Sequence, residues 1–235
     1  MQPAKYSILS TRPLQETLIA ETTDTGIRVD VVSFIETEPF STIETIQEIE
    51  QAYLQSATVV FTSMNAVEAV AARQEGQQPD WYIYCTGHTT RQRVEKYFGK
   101  ELIAGTAGSA AELADRILAA EGTDHVLFFC GDRRRDELPA MLRSHGIEVE
   151  EIRVYQTIAV PQKVSQYYDG ILFFSPSAVE SFFSNNRLPG QTTLFAIGPT
   201  TAEAIRKYSQ NKTVICEQPG KDYLLQQAIR YFHQQ

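Results

Sequence analysis

Hydrophobic and polar positions in this chain keep two alternating rhythms. Short unbroken apolar runs, such as 171–174 and 126–130, are followed by stretches in which apolar residues recur every three or four positions. Unbroken apolar runs bounded by turns fit parallel strands buried on both faces, and the longer period fits the helices that cover them. The pattern predicts ten strands, at 5–9, 29–35, 59–61, 81–85, 102–104, 126–130, 148–155, 171–174, 194–197 and 213–216. Helices are predicted after most of them, the first from Pro13 to about Thr23, with Pro13 at the first helical position. Others cover 43–54, start near Asn65, Thr89, Ser109 and Ala178, and run 136–144, where Gly146 follows as a terminating glycine. Strand 148–155 alternates and is charged, which reads as a sheet edge.

The rhythm is also repeated at long range. Val59-Val60-Phe61-Thr62-Ser63-Met64-Asn65-Ala66-Val67 matches Ile171-Leu172-Phe173-Phe174-Ser175-Pro176-Ser177-Ala178-Val179, with Ser63 and Ser175 standing 112 residues apart. Gly87 with Thr90 matches Gly198 with Thr201 at a spacing of 111, and 108–113 matches 219–224 at the same spacing. A strand–helix–glycine–strand unit recurs as well, with Gly26 and Gly146 120 residues apart. Three block matches at nearly the same displacement indicate an internal duplication.

Duplication sets the expected organisation: an α/β fold of two similar three-layer α/β/α domains, each with a parallel five-stranded sheet. One domain is continuous, 40–153; the other is discontinuous, 1–35 plus 160–235. The stretches 36–39 and 154–159 connect them as a two-strand hinge. The competing arrangement is a single ten-stranded sheet, wider than open sheets usually grow.

Composition narrows the function classes. Of 235 residues, 43% are hydrophobic and 21% charged, the balance of an ordinary globular protein. A formal charge of −8 argues against a nucleic-acid binder with a broad basic face, although Arg12 and Arg133-Arg134-Arg135 are local candidates to meet an anion. No export signal is visible at the N-terminus and no apolar run is long enough for a membrane span, so a cytoplasmic, membrane-free protein is expected. Cys85, Cys130 and Cys216 lie in or beside predicted strands and read as reduced thiols. No metal-ligand spacing, P-loop, dinucleotide fingerprint or nucleophile elbow occurs, so no metal site is expected.

Candidate chemistry therefore belongs at the carboxyl ends of the parallel strands. Turn after turn there ends in small or hydroxyl residues at a helix start, a place that caps the helix and also attracts anions. If the two domains face each other across a hinge, their edges would offer many weak carboxylate or phosphate sites. Tyr155, at the end of a strand and the start of a connector, is a candidate cleft hydroxyl or simply a packing residue.

These motifs, taken together, resemble the uroporphyrinogen-III synthase family over essentially the whole chain. The resemblance rests on Thr11-Arg12-Pro13, on 59–67, on Gly87 with Thr90, and on Gly131 followed by spaced leucines to Gly146. It also rests on Val154-Tyr155-Gln156-Thr157, 173–179 and 196–205. It implies two flavodoxin-like α/β domains and a cofactor-free lyase. That enzyme closes linear hydroxymethylbilane to uroporphyrinogen III, losing water and inverting the last pyrrole ring, in tetrapyrrole and haem biosynthesis. By position, Tyr155 matches the tyrosine that helps the hydroxyl leave. Thr62, Ser63, Thr90, Ser175, Ser177 and Thr201 match positions that hold substrate carboxylates, and Arg12 joins them as an anion candidate. A monomer, with at most transient contact with the upstream bilane-forming enzyme, is expected. A non-catalytic hinged binding protein for a small polyanion is the alternative from another class, and a flavin carrier a third.

Overall fold

The computed structural model describes residues 4–23, 25–120, 122–218 and 220–234, the side chains of Glu21, Thr23 and Lys221 apart. Pro219, part of one repeated block, lies outside the described residues. In chain order the elements are β1 (Tyr6–Ser10), α1 (Glu16–Thr23), β2 (Ile27–Val31), β3 (Ile35–Pro39), α2 (Ile43–Tyr53), β4 (Ala57–Phe61), α3 (Met64–Ala71) and β5 (Trp81–Thr86). Then follow α4 (His88–Tyr97), β6 (Ile103–Ala107), α5 (Ala110–Leu118), β7 (His125–Gly131), α6 (Glu137–Ser144) and β8 (Glu148–Ala159). The last are β9 (Gly170–Phe173), α7 (Pro176–Asn185), β10 (Thr193–Ala196), α8 (Pro199–Tyr208), β11 (Thr213–Ile215) and α9 (Lys221–His233).

The chain forms two compact units, Met1–Glu36 with Ile158–Gln235, and Thr37–Thr157. The first holds a five-stranded parallel sheet in the order β11-β10-β9-β1-β2. The second contains the sheet β3-β8-β7-β4-β5-β6, whose pairs from β8 to β6 are parallel. Renumbered from β7, its last five strands have the order of the other sheet; the two halves are joined to the chain at different points.

Alternation along each strand builds the layers. In β4, Val59 and Phe61 join Trp81, Ile83, Leu127 and Phe129 beneath α2, α3 and α4, whereas Val60 joins Tyr84, Val126 and Phe128 beneath α5 and α6. Leu9, Ile171 and Phe173 likewise meet α7 and α8, while Ile8, Leu172 and Phe195 meet α9. Trp81 anchors the first face: its indole N–H donates to the Ala52 carbonyl at 2.9 Å and its ring packs on Tyr53, Phe98 and Phe129. Burying such a ring while satisfying its one donor is the condition under which tryptophan stabilises a core.

The duplication is visible as pairing register. Thr58, Val59, Val60 and Phe61 face Tyr82, Ile83, Tyr84 and Cys85, and Gly170, Ile171, Leu172 and Phe173 face Thr193, Leu194, Phe195 and Ala196. All four pairs recur at the spacings seen in the sequence.

Three expectations are corrected. The second sheet has six strands, not five, because the polar 35–39 segment pairs as β3, with Pro39 at its end on the outer edge, where a missing N–H is tolerated. Strand β8 is consequently not an edge; β3 covers it. Helix α1 begins at Glu16 rather than at Pro13. The Thr11 N–H and hydroxyl both donate to the Leu172 carbonyl, and the Ser10 hydroxyl donates to the Arg12 carbonyl, so the chain stays tied to the sheet past the end of β1. The end of α6 follows expectation: Gly146 has φ +83°, its N–H donates to Arg143, and the Ile147 N–H donates to Leu142, which closes the helix carbonyls.

One ion cluster fixes the segment between β7 and α6. Arg134 bonds Glu151 on β8 and Asp136, and Arg143 on α6 donates to Glu151 at 2.8 Å. Burial alone would raise the Glu151 pKa, but the hydrogen bonds and charges of both arginines outweigh it and hold the carboxyl below its ordinary value. A depressed folded-state pKa contributes stability above the unfolded carboxylate range and loses it as pH falls through the folded value. Glu151→Gln is therefore expected to cost about 1–3 kcal/mol at neutral pH and to lose less stability than wild type on acidification, measured by urea unfolding at pH 7 and pH 3.

Candidate functional site

The carboxyl ends of β4, β5, β6 and β7, together with Tyr155 of β8, surround one cavity of about 420 Å³. Thr62 and Ser63 follow β4, Thr86 ends β5, Gly108 and Ser109 follow β6, and Gly131, Arg133, Arg134 and Arg135 close the side beyond β7. This is where polar side chains can be placed in a parallel sheet whose faces are covered by helices.

Helix starts supply much of the lining. Ser63 caps α3, its hydroxyl accepting from the Asn65 N–H at 3.2 Å. Ser109 caps α5 in the same way through Glu112, whose carboxylate accepts in return from the Gly108 N–H. Capping is thus a real role of these serines. It does not exhaust Ser63, which also accepts the Tyr155 hydroxyl at 3.0 Å.

Tyr155 is held by a local irregularity. The β7–β8 register slips between Cys130 and Gly131, so Cys130 faces Arg153 but Gly131 faces Tyr155. Tyr155 thereby packs on the same cluster as Ile152 and Val154, where strict alternation would send it to the other face. A Cβ at Gly131 would lie 2.4 to 2.7 Å from the tip of the tyrosine ring. Only glycine leaves room for this placement. Asp132 secures the backbone: its N–H donates to the Tyr155 carbonyl at 3.0 Å and its carboxylate accepts from the Thr157 N–H at 2.9 Å.

The electrostatics favour a protonated phenol in a locally basic pocket. Burial raises the Tyr155 pKa, the bond to Ser63 opposes this, and Cys130 and Asp132 add to the rise. Cys130 and Cys85 are pushed up to about 11, chiefly by burial, so neither supplies a thiolate near neutrality. Arginines 133 to 135 outnumber the one carboxylate of the lining, Glu137. Among the described residues no cluster of three or more histidines, cysteines or carboxylates could hold a metal, and no helix is long and apolar enough to cross a membrane.

Thr62, Ser63 and Tyr155 are brought together in this cavity. Thr90 is not in its lining; it sits in the first turn of α4, 7% exposed. The remaining candidates belong to the other unit, along the carboxyl edge of its sheet. Ser175 caps α7 through the Ala178 N–H at 3.2 Å, Ser177 lies half-buried in that first turn, and Thr201 lies in the first turn of α8, 1% exposed. Arg12 is half-buried beyond β1, and burial lowers its pKa from the ordinary arginine value. Sequence reasoning missed Gly131 and Ser109 as parts of the site. Gly108-Ser109 and Gly131-Asp132 were both visible as turns at strand ends, but nothing in the sequence signals the role of Gly131, which is the space it leaves.

Comparison with known proteins identifies the family and the fold. A family model described as "Uroporphyrinogen-III synthase HemD" matches residues 16–226. A uroporphyrinogen-III synthase from Saccharomyces cerevisiae is 25% identical over 201 residues, covering 71% of this chain and 73% of the yeast protein. In fold, the chain is similar to the uroporphyrinogen-III synthetase of Helicobacter pylori, with TM-score 0.70, 15% identity and coverage of 96% of this chain and 99% of the other. It is also similar to a substituted uroporphyrinogen III synthase from Thermus thermophilus, with TM-score 0.66, 15% identity and coverage of 98% and 100%. The chain belongs to the uroporphyrinogen-III synthase family.

Proposed function

We propose that the protein closes hydroxymethylbilane to uroporphyrinogen III, with loss of water and inversion of the last pyrrole ring, and that the hydroxyl departs at Tyr155. The observation that carries this reading is a phenol kept protonated by burial, seated over Gly131 in a pocket of helix starts and arginines. Family membership does not favour the alternative of a non-catalytic binding protein.

The substrate's leaving group sits on a carbon next to an electron-rich pyrrole. Losing the hydroxyl gives a cation stabilised by the ring nitrogen, so a weak, well-placed acid suffices. The demanding task is holding the terminal ring for attack at its substituted carbon, a problem of positioning. In this reading Thr62 and the arginines take carboxylates around Tyr155, beside Ser63, and Arg12, Ser175, Ser177 and the helix starts at Thr90 and Thr201 take others. The chain passes between its units within β3 and within β8, which are the hinge strands in this reading. A monomer, meeting the upstream bilane-forming enzyme at most transiently, accords with it.

Tyr155→Phe is expected to lower kcat about ten- to a hundredfold while leaving KM nearly unchanged. Because unassisted closure gives the uninverted type I ring, type I product should rise at low concentrations of this variant, and type III should recover when enzyme is in excess. Wild-type rate and isomer ratio in Tyr155→Phe would make the tyrosine a scaffold. The raised pKa adds a second expectation. The acid must be protonated, so the alkaline limb of the kcat profile should lie above the ordinary tyrosine value of about 10 and vanish in Tyr155→Phe.

A further inference from the structure

We propose that Ser63, not Tyr155, is the group that hands the proton to the departing hydroxyl, with Tyr155 refilling it from behind. The inference rests on the reading of Tyr155 as the proton source and specifies how that proton reaches substrate.

A serine hydroxyl has one donor and two acceptor positions. Ser63 Oγ accepts the Asn65 N–H at 3.2 Å and the Tyr155 O–H at 3.0 Å. The direction of the second bond follows from acidity, since a phenol is a far stronger acid than an alcohol and its protonated form is the one favoured here. Both acceptor positions are then filled, and the serine's own hydrogen is left to point away from them. Ser63 lines the cavity, which gives that hydrogen a place to go.

Tyr155 has little freedom to bypass the serine. Its ring fills the space where Gly131 lacks a Cβ, and Asp132 ties the backbone at the Tyr155 carbonyl and the Thr157 N–H. Turning the phenol O–H toward substrate would give up the bond to Ser63. Ser63 is placed to carry transient negative charge: it stands at the start of α3, facing a backbone N–H and the positive end of the helix dipole.

The step balances. As the carbon–oxygen bond breaks with its electron pair on oxygen, that oxygen takes the Ser63 proton and leaves as water. Ser63 takes the Tyr155 proton in the same movement, leaving a phenolate and the substrate cation. The proton lost when the closed ring regains aromaticity returns to Tyr155 and restores both groups.

Four variants test the relay: Ser63→Gly, Ser63→Thr, Tyr155→Phe and the double Ser63→Gly/Tyr155→Phe. Glycine is chosen because it replaces serine at a helix cap at little cost, and thermal unfolding checks each variant. A relay predicts that Ser63→Gly loses kcat ten- to a hundredfold, as Tyr155→Phe does, and that the double variant is no worse than the slower single one within about threefold. Ser63→Thr, which keeps the hydroxyl, should stay within a few-fold of wild type. The solvent isotope effect on kcat should bow with deuterium fraction in wild type, as for two protons in flight, and become linear in Tyr155→Phe. A slow Tyr155→Phe beside an unimpaired Ser63→Gly, or losses that multiply in the double variant, would overturn the relay and leave Tyr155 as the direct acid. A Tyr155→Phe indistinguishable from wild type would instead overturn the underlying assignment.

Discussion

A parallel strand covered by helices on both faces has no place for a polar side chain except its ends. This constraint governs the whole molecule. It makes 59–61, 126–130 and 171–173 apolar without interruption, and it sends most hydroxyls and charges of the site to the turns beyond the strands, Thr86 and Tyr155 apart. Burial of these strands stabilises the units at roughly 25 cal/mol per Å² of apolar surface, so the residues in them answer to packing and those just past them are available for chemistry. The cavity at Thr62, Ser63, Gly108, Ser109 and Gly131 is the result.

That division explains what could be read in advance. The βα rhythm was legible because two-faced burial leaves an unbroken apolar run, and the duplication was legible because the pairing of β4 with β5 and of β9 with β10 is the same register twice. Thr62 and Ser63 were legible as a hydroxyl turn at a strand end. The sixth strand was not, because Ile35–Pro39 holds its place by backbone pairing on an edge and carries charged, exposed side chains with no apolar signature. Pro13 misled for a related reason: long-range bonds from Thr11 to Leu172 hold the chain on the sheet where local preference would begin a helix.

Tyr155 could be named from its motif, yet its setting depends on features no pattern reports. The register slip beside Cys130 turns it onto the face of Val154, and the missing side chain of Gly131 gives its ring a seat. Both are consequences of which residues stand opposite each other across two strands. The Arg134–Glu151–Arg143 cluster belongs to the same class: three residues of one β7–α6–β8 unit meet because the helix returns the chain beside β7, and they fix the segment that carries Arg133 and Arg135 to the cavity.

The duplication also bears on the proposal that proton transfer belongs to one copy. Both copies keep the serine cap, Ser63 on α3 and Ser175 on α7, at equivalent places. The spacing that relates Gly26 to Gly146 sets Thr11 opposite Gly131 and Ile35 opposite Tyr155. Where one copy has an empty seat and a phenol, the other has a threonine whose hydroxyl is committed to the Leu172 carbonyl, and an aliphatic side chain. A cap serine without a tyrosine behind it can hold an anion through the helix start but has no proton source. Under the proposed mechanism, divergence at two positions is therefore enough to leave one edge fitted for binding alone and the other for binding and proton transfer, with the strand order of both unchanged.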